Sequence, residues 1–354
     1  MSKTLLRSLD LGTLQVKNRV FLAPLTRTRA DADHTPNELM AEYYAQRASG
    51  GLLIAEATAV SEGCSAFGAD PGIYNDKQVE GWKKVTSAVH EAGGKIFLQL
   101  WHGGRACHPL LNDGQVPVAP SAIAIDDITH TPEGKKPYTV PRALELEEIP
   151  EIVTAFRTAA HRGKEAGFDG VEVHGANGYL LDEFLRESAN QRTDHYGGSL
   201  ENRARLLLEV IEAVASVMGS DRTGVRISPL NSYNSMKTED PVGLVTYLAK
   251  ELSSKKLAYL HLMRADFEEQ QEGDVVTPAR EHYDGNLVLN MGYTPEEAEK
   301  AVSLGQADAI AFGTSFLANP DLPERIAKDA PLNEPEPSTF YTSGPEGYTD
   351  YPAL

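Results

Sequence analysis

The chain has 354 residues, of which 41% are hydrophobic, and this is enough to bury a large core. Acidic residues number 51 against 33 lysines and arginines, and the formal net charge of −18 repels the phosphates of nucleic acids. The two cysteines, Cys64 and Cys107, are too few for a disulfide framework or for the thiolates of a usual iron–sulfur cluster.

The first residues, MSKTLLRSLDLG, contain no apolar export segment, and no apolar run approaches the ~18 residues of a membrane span. We therefore expect a cytoplasmic protein that binds neither nucleic acid nor a membrane. We also expect a monomer, because no long apolar surface helix stands out in the sequence.

Eight short runs rich in valine, isoleucine and leucine alternate with helical patterns along the chain. Strands that are buried on both faces have this composition. The runs are VFLAPL (20–25), LLIAEATA (52–59), IFLQLW (96–101), GVEVHG (170–175), TGVRIS (223–228), AYLHLM (258–263), NLVLNM (286–291) and AIAFGT (309–314). Eight strands that alternate with helices predict an α/β fold, a single (β/α)8 TIM-barrel domain over residues 1–354.

The starts of several intervening helices carry capping signals. Thr35 and Thr294 each precede a proline and, three positions on, a glutamate, so each predicts a capping box with proline at the first helical position. Asp76 and Ser199 are predicted to cap two further helices, and Gly93-Gly94 should end the first of these.

Four segments depart from the regular alternation. Residues 1–18 predict a small hairpin around Gly12 that covers the barrel floor. Residues 264–285 predict a short helix or a loop in place of a full helix. Residues 102–145, after the third strand, are rich in proline and glycine and far longer than a usual connection, as functional lids are. Residues 331–354 contain five prolines and three tyrosines and predict an extended tail over the surface.

Chemistry in such a barrel takes place at the carboxyl ends of the strands. Polar or small residues stand at most of these predicted ends. They are Thr26, Glu56, Ala57, Thr58, Gln99, Trp101, His174, Asn177, Tyr179, Arg226, Gly292, Gly313 and Thr314. We expect the polar groups to converge on one mouth, where Ala57, Gly292 and Gly313 leave room for backbone to approach a flat ligand.

Single residues of this set also have ordinary structural interpretations. His174 alone would be a hydrogen-bonded core histidine, and Tyr179 alone a packing residue. Arg226 could pair with Glu172 or Glu56 inside the barrel. The convergence of many polar groups on one face favours a functional site.

The motifs of several other enzyme classes are absent. His174 and Asn177 are a poor pair of metal ligands and no HExxH occurs, so we expect no metal. No G-x-S-x-G motif supports a serine hydrolase. Without Walker A or GxGxxG motifs, neither a P-loop nor a Rossmann dinucleotide site is indicated.

Seven stretches of the chain resemble the Old Yellow Enzyme family. They are APLTRTR (23–29), EATAVS (56–61), FLQLWHGGR (97–105), VEVHGANGYLLDEFLRESANQRTDHYGGSLENR (171–203), GVRISP (224–229), FLANPDL (316–322) and STFYTSGPEGYTDYPAL (338–354). The resemblance implies an FMN-dependent ene-reductase that uses NADPH or NADH on a (β/α)8 barrel. It is strongest to the branch of N-ethylmaleimide and pentaerythritol tetranitrate reductases, which includes the plant 12-oxophytodienoate reductases.

The resemblance implies an FMN site built from the strand ends. Thr26 would hydrogen-bond flavin O4, and Gln99 would bind the pyrimidine edge. Arg226 would sit near N1 and O2, where negative charge accumulates on reduction. The ring would be lined by Pro24, Leu25 and Ala57, and the phosphate held by the backbone of Gly292, Gly313 and Thr314.

The same resemblance implies the catalytic roles. His174 and Asn177 would donate hydrogen bonds to the oxygen of an enone carbonyl or nitro group, so that the β-carbon accepts hydride from flavin N5. Tyr179 would protonate the α-carbon, since a phenol with a pKa of roughly 10 is protonated at neutral pH. Trp101 and Tyr341 would bound the substrate cavity.

Two positions bear on how closely the family pattern is followed. Thr314 stands where the family usually has an arginine on the FMN phosphate, and a hydroxyl offers one hydrogen bond in place of a charged fork. We therefore predict weaker FMN retention than in relatives. Asn177 is asparagine in one branch and histidine in another, and both residues can donate.

The implied activity is that of an NAD(P)H:flavin oxidoreductase with ping-pong kinetics. NADPH or NADH reduces the flavin and leaves, and an activated alkene such as an α,β-unsaturated carbonyl, a maleimide or a nitroalkene takes its place. Two alternatives stay open. One is a non-redox barrel lyase or hydrolase, and its only support is Thr314 in place of the family's phosphate-binding arginine. The other is a flavin-binding protein without turnover.

Overall fold

The fold, seen in a computed structural model that describes residues 3–354, contains a closed barrel of eight parallel strands. The last barrel strand pairs with the first, with Phe312 beside Leu22, and this contact closes the barrel. The (β/α)8 barrel predicted from the apolar runs is confirmed.

The strands in chain order are β1 Leu9–Leu11, β2 Leu14–Val16, β3 Val20–Leu22, β4 Leu53–Ile54, β5 Thr58–Ala59, β6 Ile96–Trp101, β7 Val118–Ala119, β8 Ile128–Thr131, β9 Gly134–Pro137, β10 Arg142–Ala143, β11 Gly170–Gly175, β12 Thr223–Ile227, β13 Tyr259–Met263, β14 Leu287–Asn290 and β15 Ala309–Phe312. The barrel is formed by β3, β4, β6, β11, β12, β13, β14 and β15, each parallel to its neighbours.

The predicted second strand, 52–59, is divided into β4 and β5, which both pair with β6. The buried Glu56 lies between the two pieces. Its carboxylate accepts hydrogen bonds from the Arg27 amide at 3.1 Å and the Tyr44 hydroxyl at 3.2 Å. These contacts with other segments replace regular pairing at this point.

The predicted N-terminal hairpin is present and lies on the barrel floor. β1 and β2 pair antiparallel around Gly12, which has a φ of +59° and whose Cβ, if present, would meet Asp221 at 2.5 Å. The apolar side chains of the hairpin pack in one buried cluster with the inward residues at the amino ends of the strands, which include Phe21, Phe97 and Tyr259.

The helices are α1 Glu38–Gln46, α2 Asp76–Glu91, α3 Ile149–Glu165, α4 Leu180–Leu185, α5 Leu200–Met218, α6 Pro241–Ser253, α7 Val276–His282, α8 Pro295–Ser303, α9 Thr314–Ala318 and α10 Leu322–Lys328. The predicted short helix within 264–285 is α7, which has seven residues. Among the described residues, none of these helices is both long and apolar enough to cross a membrane.

Two of the four predicted caps are correct and two are shifted. Ser199 caps α5, and Thr294 forms a capping box on α8. The N-cap of α1 is Asn37, not Thr35, and the N-cap of α2 is Asn75, not Asp76. Asn37 lies two residues nearer α1 than Thr35, whereas Asn75 directly precedes Asp76, which is the first residue of α2. In both helices the asparagine side chain accepts a free backbone amide, and asparagine is among the best N-cap residues.

The lid and the tail are both more ordered than their composition suggests. Within 102–145, β8 and β9 form an antiparallel hairpin, and β7 pairs with β10. The tail follows the surface only in part, because Tyr348 is fully buried and stacks on Tyr43 with ring centroids 4.1 Å apart. Arg27 also donates to the carbonyl oxygens of Phe340 and Gly347, at 3.0 and 2.7 Å, which anchors the tail beside the first barrel strand.

Candidate active site

Polar side chains from neighbouring strands meet inside the barrel above the apolar floor. Glu172 on β11 lies beside Gln99 on β6, and His174 lies beside Arg226 on β12. Residues in register on neighbouring parallel strands point to the same side, so these four side chains share the interior. All four are buried.

A buried carboxylate organises the middle layer. Glu172 accepts a hydrogen bond from Gln99 Nε2 at 2.7 Å, and its second oxygen lies 2.8 Å from His261 Nδ1. Burial raises the pKa of Glu172, but His261, Arg226 and Gln99 outweigh this and hold the pKa below its usual value. Burial lowers the pKa of His261 despite this contact. An ionised Glu172 therefore faces a neutral His261.

Arg226 has neither of the ion-pair partners considered from the sequence. Its Nη2 donates to Asn290 Oδ1 at 2.8 Å, and Asn290 is itself oriented by donating to the Ala311 carbonyl at 2.7 Å. Within residues 3–354, Arg226 forms no salt bridge, and its buried Nε has no hydrogen-bond partner. A cation with a free donor in the barrel interior is suited to a ligand that carries negative charge.

His174 and Asn177 lie at the mouth of β11. His174 is 3% exposed, and its Nδ1 has no partner among the described residues. Burial, followed by the charge of Arg226, lowers the pKa of His174 well below its usual value, so the imidazole is neutral. Asn177 is buried with a φ of +61°, and its amide donates to Ser228 Oγ at 2.8 Å. The turn thus presents both side chains to the mouth.

Tyr179 completes the group brought together by the segment VEVHGANGY. The residue caps α4 and is buried. Its ring lies 5.5 Å from the His174 ring and edge-on to Trp101, with centroids 5.2 Å apart at 90°. Burial raises the pKa of Tyr179 well above its usual value, so the phenol carries its proton across the ordinary pH range.

An apolar wall that contains Ala57 and Trp101 surrounds these groups. The buried part of this cluster also contains Tyr179, and its half-buried members are Phe67, Tyr138 and Tyr233. Tyr341 lies at the outer rim, where it is 64% exposed and stacks on Phe67 at 6.1 Å. The tail therefore reaches the predicted cavity from outside.

The residues predicted to contact a cofactor lie around the carboxyl ends of the first and last barrel strands. Pro24 is buried directly after β3, while Leu25 and Thr26 are half-buried. A Cβ on Gly313 would lie 3.6 Å from the side chain of Leu25, so these two strand ends are adjacent.

The neighbouring strand ends carry amides and one further cation. Gly313 precedes α9, and Thr314 opens this helix with an exposed side chain. The first amides of a helix have no partner within it. Gly292 has a φ of +67°, and its carbonyl accepts from Arg264 Nη2 at 3.0 Å.

The donor set of the mouth fits a planar ligand rich in nitrogen and oxygen. Buried polar atoms without partners, among the described residues, include His174 Nδ1, Arg226 Nε, Trp101 Nε1 and His261 Nε2. Each such atom costs free energy in an empty protein interior, so its persistence indicates a site that a ligand completes. No group of three or more metal-ligating side chains is found in the part of the chain that the structure describes.

Some residues of the site escaped the sequence analysis. The roles of Glu172, His261 and Asn290 depend on partners tens of residues away in the chain, which no local pattern reveals. Phe67 and Tyr138 are aromatic residues in long connections after barrel strands, and that location was the available signal.

The sequence of the chain matches the model of the NADH:flavin oxidoreductase / NADH oxidase family over residues 4–333. The chain belongs to this family. It is 49% identical to a probable flavin mononucleotide-dependent alkene reductase of Leishmania infantum, over 99% of this chain and 97% of that protein.

Solved structures agree with this assignment. The Old Yellow Enzyme from Trypanosoma cruzi superposes with a TM-score of 0.97 at 44% identity and 99% coverage of both chains. Morphinone reductase in complex with tetrahydroNAD superposes with a TM-score of 0.94 at 46% identity, over 99% of this chain and 97% of that one. The resemblance to Old Yellow Enzymes is therefore confirmed over nearly the whole chain.

Proposed function

We propose that this NADH:flavin oxidoreductase family member is an NAD(P)H-dependent FMN ene-reductase that reduces the C=C bond of activated alkenes. The substrates are α,β-unsaturated carbonyls, maleimides and nitroalkenes. The observation that carries the proposal is the grouping of His174, Asn177 and a protonated Tyr179 at one mouth, above an Arg226 that lacks an ionic partner. Identity of 49% to a probable alkene reductase supports it.

The strand ends offer a complete set of contacts for FMN. Arg226 would lie near N1 and O2 of the flavin, and Gln99 would bind its pyrimidine edge. Thr26 would hydrogen-bond flavin O4. The other contacts would come from Pro24, Leu25, Ala57, Gly292, Gly313 and Thr314. FMN, when bound, supplies the hydride that the side chains of a protein cannot provide.

The chain's own residues polarise and protonate the alkene. Neutral His174 and Asn177 donate hydrogen bonds to the carbonyl or nitro oxygen, which withdraws electron density from the β-carbon. Tyr179 donates a proton to the α-carbon. Because burial holds its pKa well above the usual value, the phenol regains a proton from solvent after each turnover. Trp101 and Tyr341 bound the cavity and limit the substrate's orientation.

The reductant is a nicotinamide nucleotide, and we propose NADPH in preference to NADH. Binding of tetrahydroNAD to morphinone reductase supports a nicotinamide site of this kind. We further propose that the chain acts in the cytoplasm as a single-domain monomer. Sedimentation of the FMN-loaded protein tests the monomer, and a dimer mass would contradict it.

Absorbance spectroscopy tests the proposed function in three steps. The purified protein, supplied with FMN, should show the visible flavin bands after gel filtration. NADPH should bleach these bands without oxygen, and 2-cyclohexenone or maleimide should restore them. A colourless protein that cannot take up FMN would favour a non-redox lyase or hydrolase. Bleaching without recovery by any activated alkene would indicate a flavin-binding protein without turnover.

A further inference from the structure

We propose that Asn231 is a positioning residue that fixes the side-chain amide of Asn177 with its NH2 group towards the cavity. The inference rests on the proposed function, in which Asn177 donates to the substrate oxygen. It makes the Asn177 amide an obligate donor, so the site selects ligands that present an acceptor oxygen.

The orientation of the Asn231 amide is set by two backbone donors. Asn231 is fully buried, and its Oδ1 accepts from the amides of Tyr233 at 3.4 Å and Phe267 at 3.3 Å. A backbone N–H can only donate, so the oxygen of Asn231 must face these two amides. Its Nδ2 then points the other way and donates to Asn177 Oδ1 at 2.8 Å.

Asn177 has no choice of orientation once this contact is made. Its Oδ1 is occupied by Asn231, and among the described residues its Nδ2 donates no hydrogen bond to the protein. A reversed Asn177 amide would place two NH2 groups against each other and turn its carbonyl oxygen to the substrate oxygen. Both contacts would be repulsive, so the donor orientation is strongly favoured.

The backbone around the pair is also held. Arg186, which is fully buried, donates to the carbonyl oxygens of Asn231 at 2.9 Å and Ser228 at 3.0 Å. Ser228 Oγ in turn accepts from the backbone N–H of Asn177. Asn234 donates to the Asn177 carbonyl at 3.0 Å. The two asparagines are therefore fixed relative to each other from both sides.

An isosteric change at residue 231 reverses the polarity of the contact. In Asn231→Asp, one carboxylate oxygen still accepts from Tyr233 and Phe267, while the other now faces Asn177 as an acceptor. The Asn177 amide must turn round to donate to it, and its own oxygen then faces the substrate. Asn231→Ala removes the partner without adding charge and leaves the Asn177 amide free to rotate.

The test measures the carbonyl of 2-cyclohexenone bound to the oxidised, FMN-loaded protein. Infrared difference spectra with 13C=O ligand report how far hydrogen bonding lowers the carbonyl stretching frequency, and titration gives the Kd. We expect Asn231→Asp to lose much of the frequency shift and to raise the Kd by about tenfold or more, with a smaller effect in Asn231→Ala. Gln306→Glu adds one negative charge at an exposed position between α8 and β15, outside the site, and should keep the wild-type frequency shift.

Three results would overturn parts of this account and are distinguishable. A wild-type protein that neither reduces 2-cyclohexenone nor shifts its carbonyl band would overturn the proposed function, and the inference with it. An active wild type together with an FMN-loaded Asn231→Asp protein of unchanged frequency and Kd would overturn the inference alone. If Asn231→Asp fails to fold, a wild-type frequency shift in Asn231→Ala overturns it.

Discussion

The two ends of the barrel are built from the same strands, but one end is packed with apolar side chains and the other carries polar side chains that can bind a ligand. On β6, alternate side chains face the interior, so Phe97 lies in the floor, Gln99 in the middle layer and Trp101 at the mouth. The floor is apolar and is covered by the β1–β2 hairpin. The mouth contains buried polar atoms without partners. The amino end therefore provides apolar packing, and the donors that a ligand can use are at the carboxyl end.

The largest effect on stability should come from a cavity created in the apolar floor. Phe97 is fully buried, and its ring lies 5.8 Å from that of Tyr259. Phe97→Ala should lower the free energy of unfolding by ~3–5 kcal/mol, measured by denaturant titration, because it removes apolar contacts and leaves a void. The surviving folded protein should reduce alkenes at the wild-type rate.

Phe97→Leu, which keeps most of the volume, is the control and should cost less. A loss of catalytic rate in folded Phe97→Ala protein, without loss of stability, would contradict the division between floor and mouth.

At the mouth, the largest effect on chemistry should come from the proton donor. Tyr179→Phe keeps the ring against Trp101 but removes the proposed proton donor. We expect a loss of about a hundredfold or more in the alkene half-reaction, since general acids contribute ~10²–10⁴-fold. Reduction of the flavin by NADPH should change little. Stopped-flow absorbance resolves the two half-reactions.

Tyr138→Phe removes a hydroxyl from the same aromatic cluster and is the matched control, with only a small expected effect on either half-reaction. If Tyr179→Phe slows both half-reactions equally, the proton-donor role is wrong.

A buried carboxyl beneath the lid should give the protein a measurable pH dependence. Glu183 Oε1 accepts from the Arg105 amide at 2.8 Å, and burial, opposed by Arg105, raises the pKa of Glu183 to about 8. The folded protein then holds a proton that the unfolded chain has released. The contribution of Glu183 to stability is therefore fully present below pH ~4.5, the ordinary pKa of glutamate, and is lost as the pH rises to about 8.

Glu183→Gln keeps the acceptor oxygen and cannot ionise, so it should remove most of this loss, which a pKa raised from 4.5 to about 8 makes on the order of 4–5 kcal/mol. Burial also raises the pKa of Glu56, to about 7. The variant should therefore still lose the stability contributed by protonated Glu56, and this loss should be complete near pH 7. Melting temperatures between pH 4 and pH 9 provide the measurement. Parallel curves for wild type and variant would show that Glu183 ionises normally in the folded protein.

The difference between floor and mouth also explains what the sequence could predict. Apolar runs and turn residues are local signals, and they predicted the barrel, the hairpin and the short α7. Caps were less certain, because Asn37 and Asn75 competed with the neighbouring residues that we favoured. The buried position of Tyr348 was missed, because prolines around it indicated a surface tail.

Within the site, one segment carried the clearest signal. His174, Asn177 and Tyr179 come from a single strand and turn, and the structure brings them together as expected. The contacts that orient the site were not predictable, because they join distant segments. Glu172 and His261 are 89 residues apart in sequence, and Asn231 lies 54 residues from Asn177.

The smallest effect is expected at the phosphate end of the mouth, where Thr314 supplies a hydroxyl. Thr314 is exposed at the start of α9, so a longer side chain meets no core. Thr314→Arg adds a charged, forked donor and should slow FMN loss during dialysis by about tenfold, a typical gain for a charge-assisted hydrogen bond. Ser303→Arg adds the same charge at the end of α8 and is the control. Arg264 already places one cation beside Gly292, and equal FMN retention in wild type and Thr314→Arg would mean that this cation suffices.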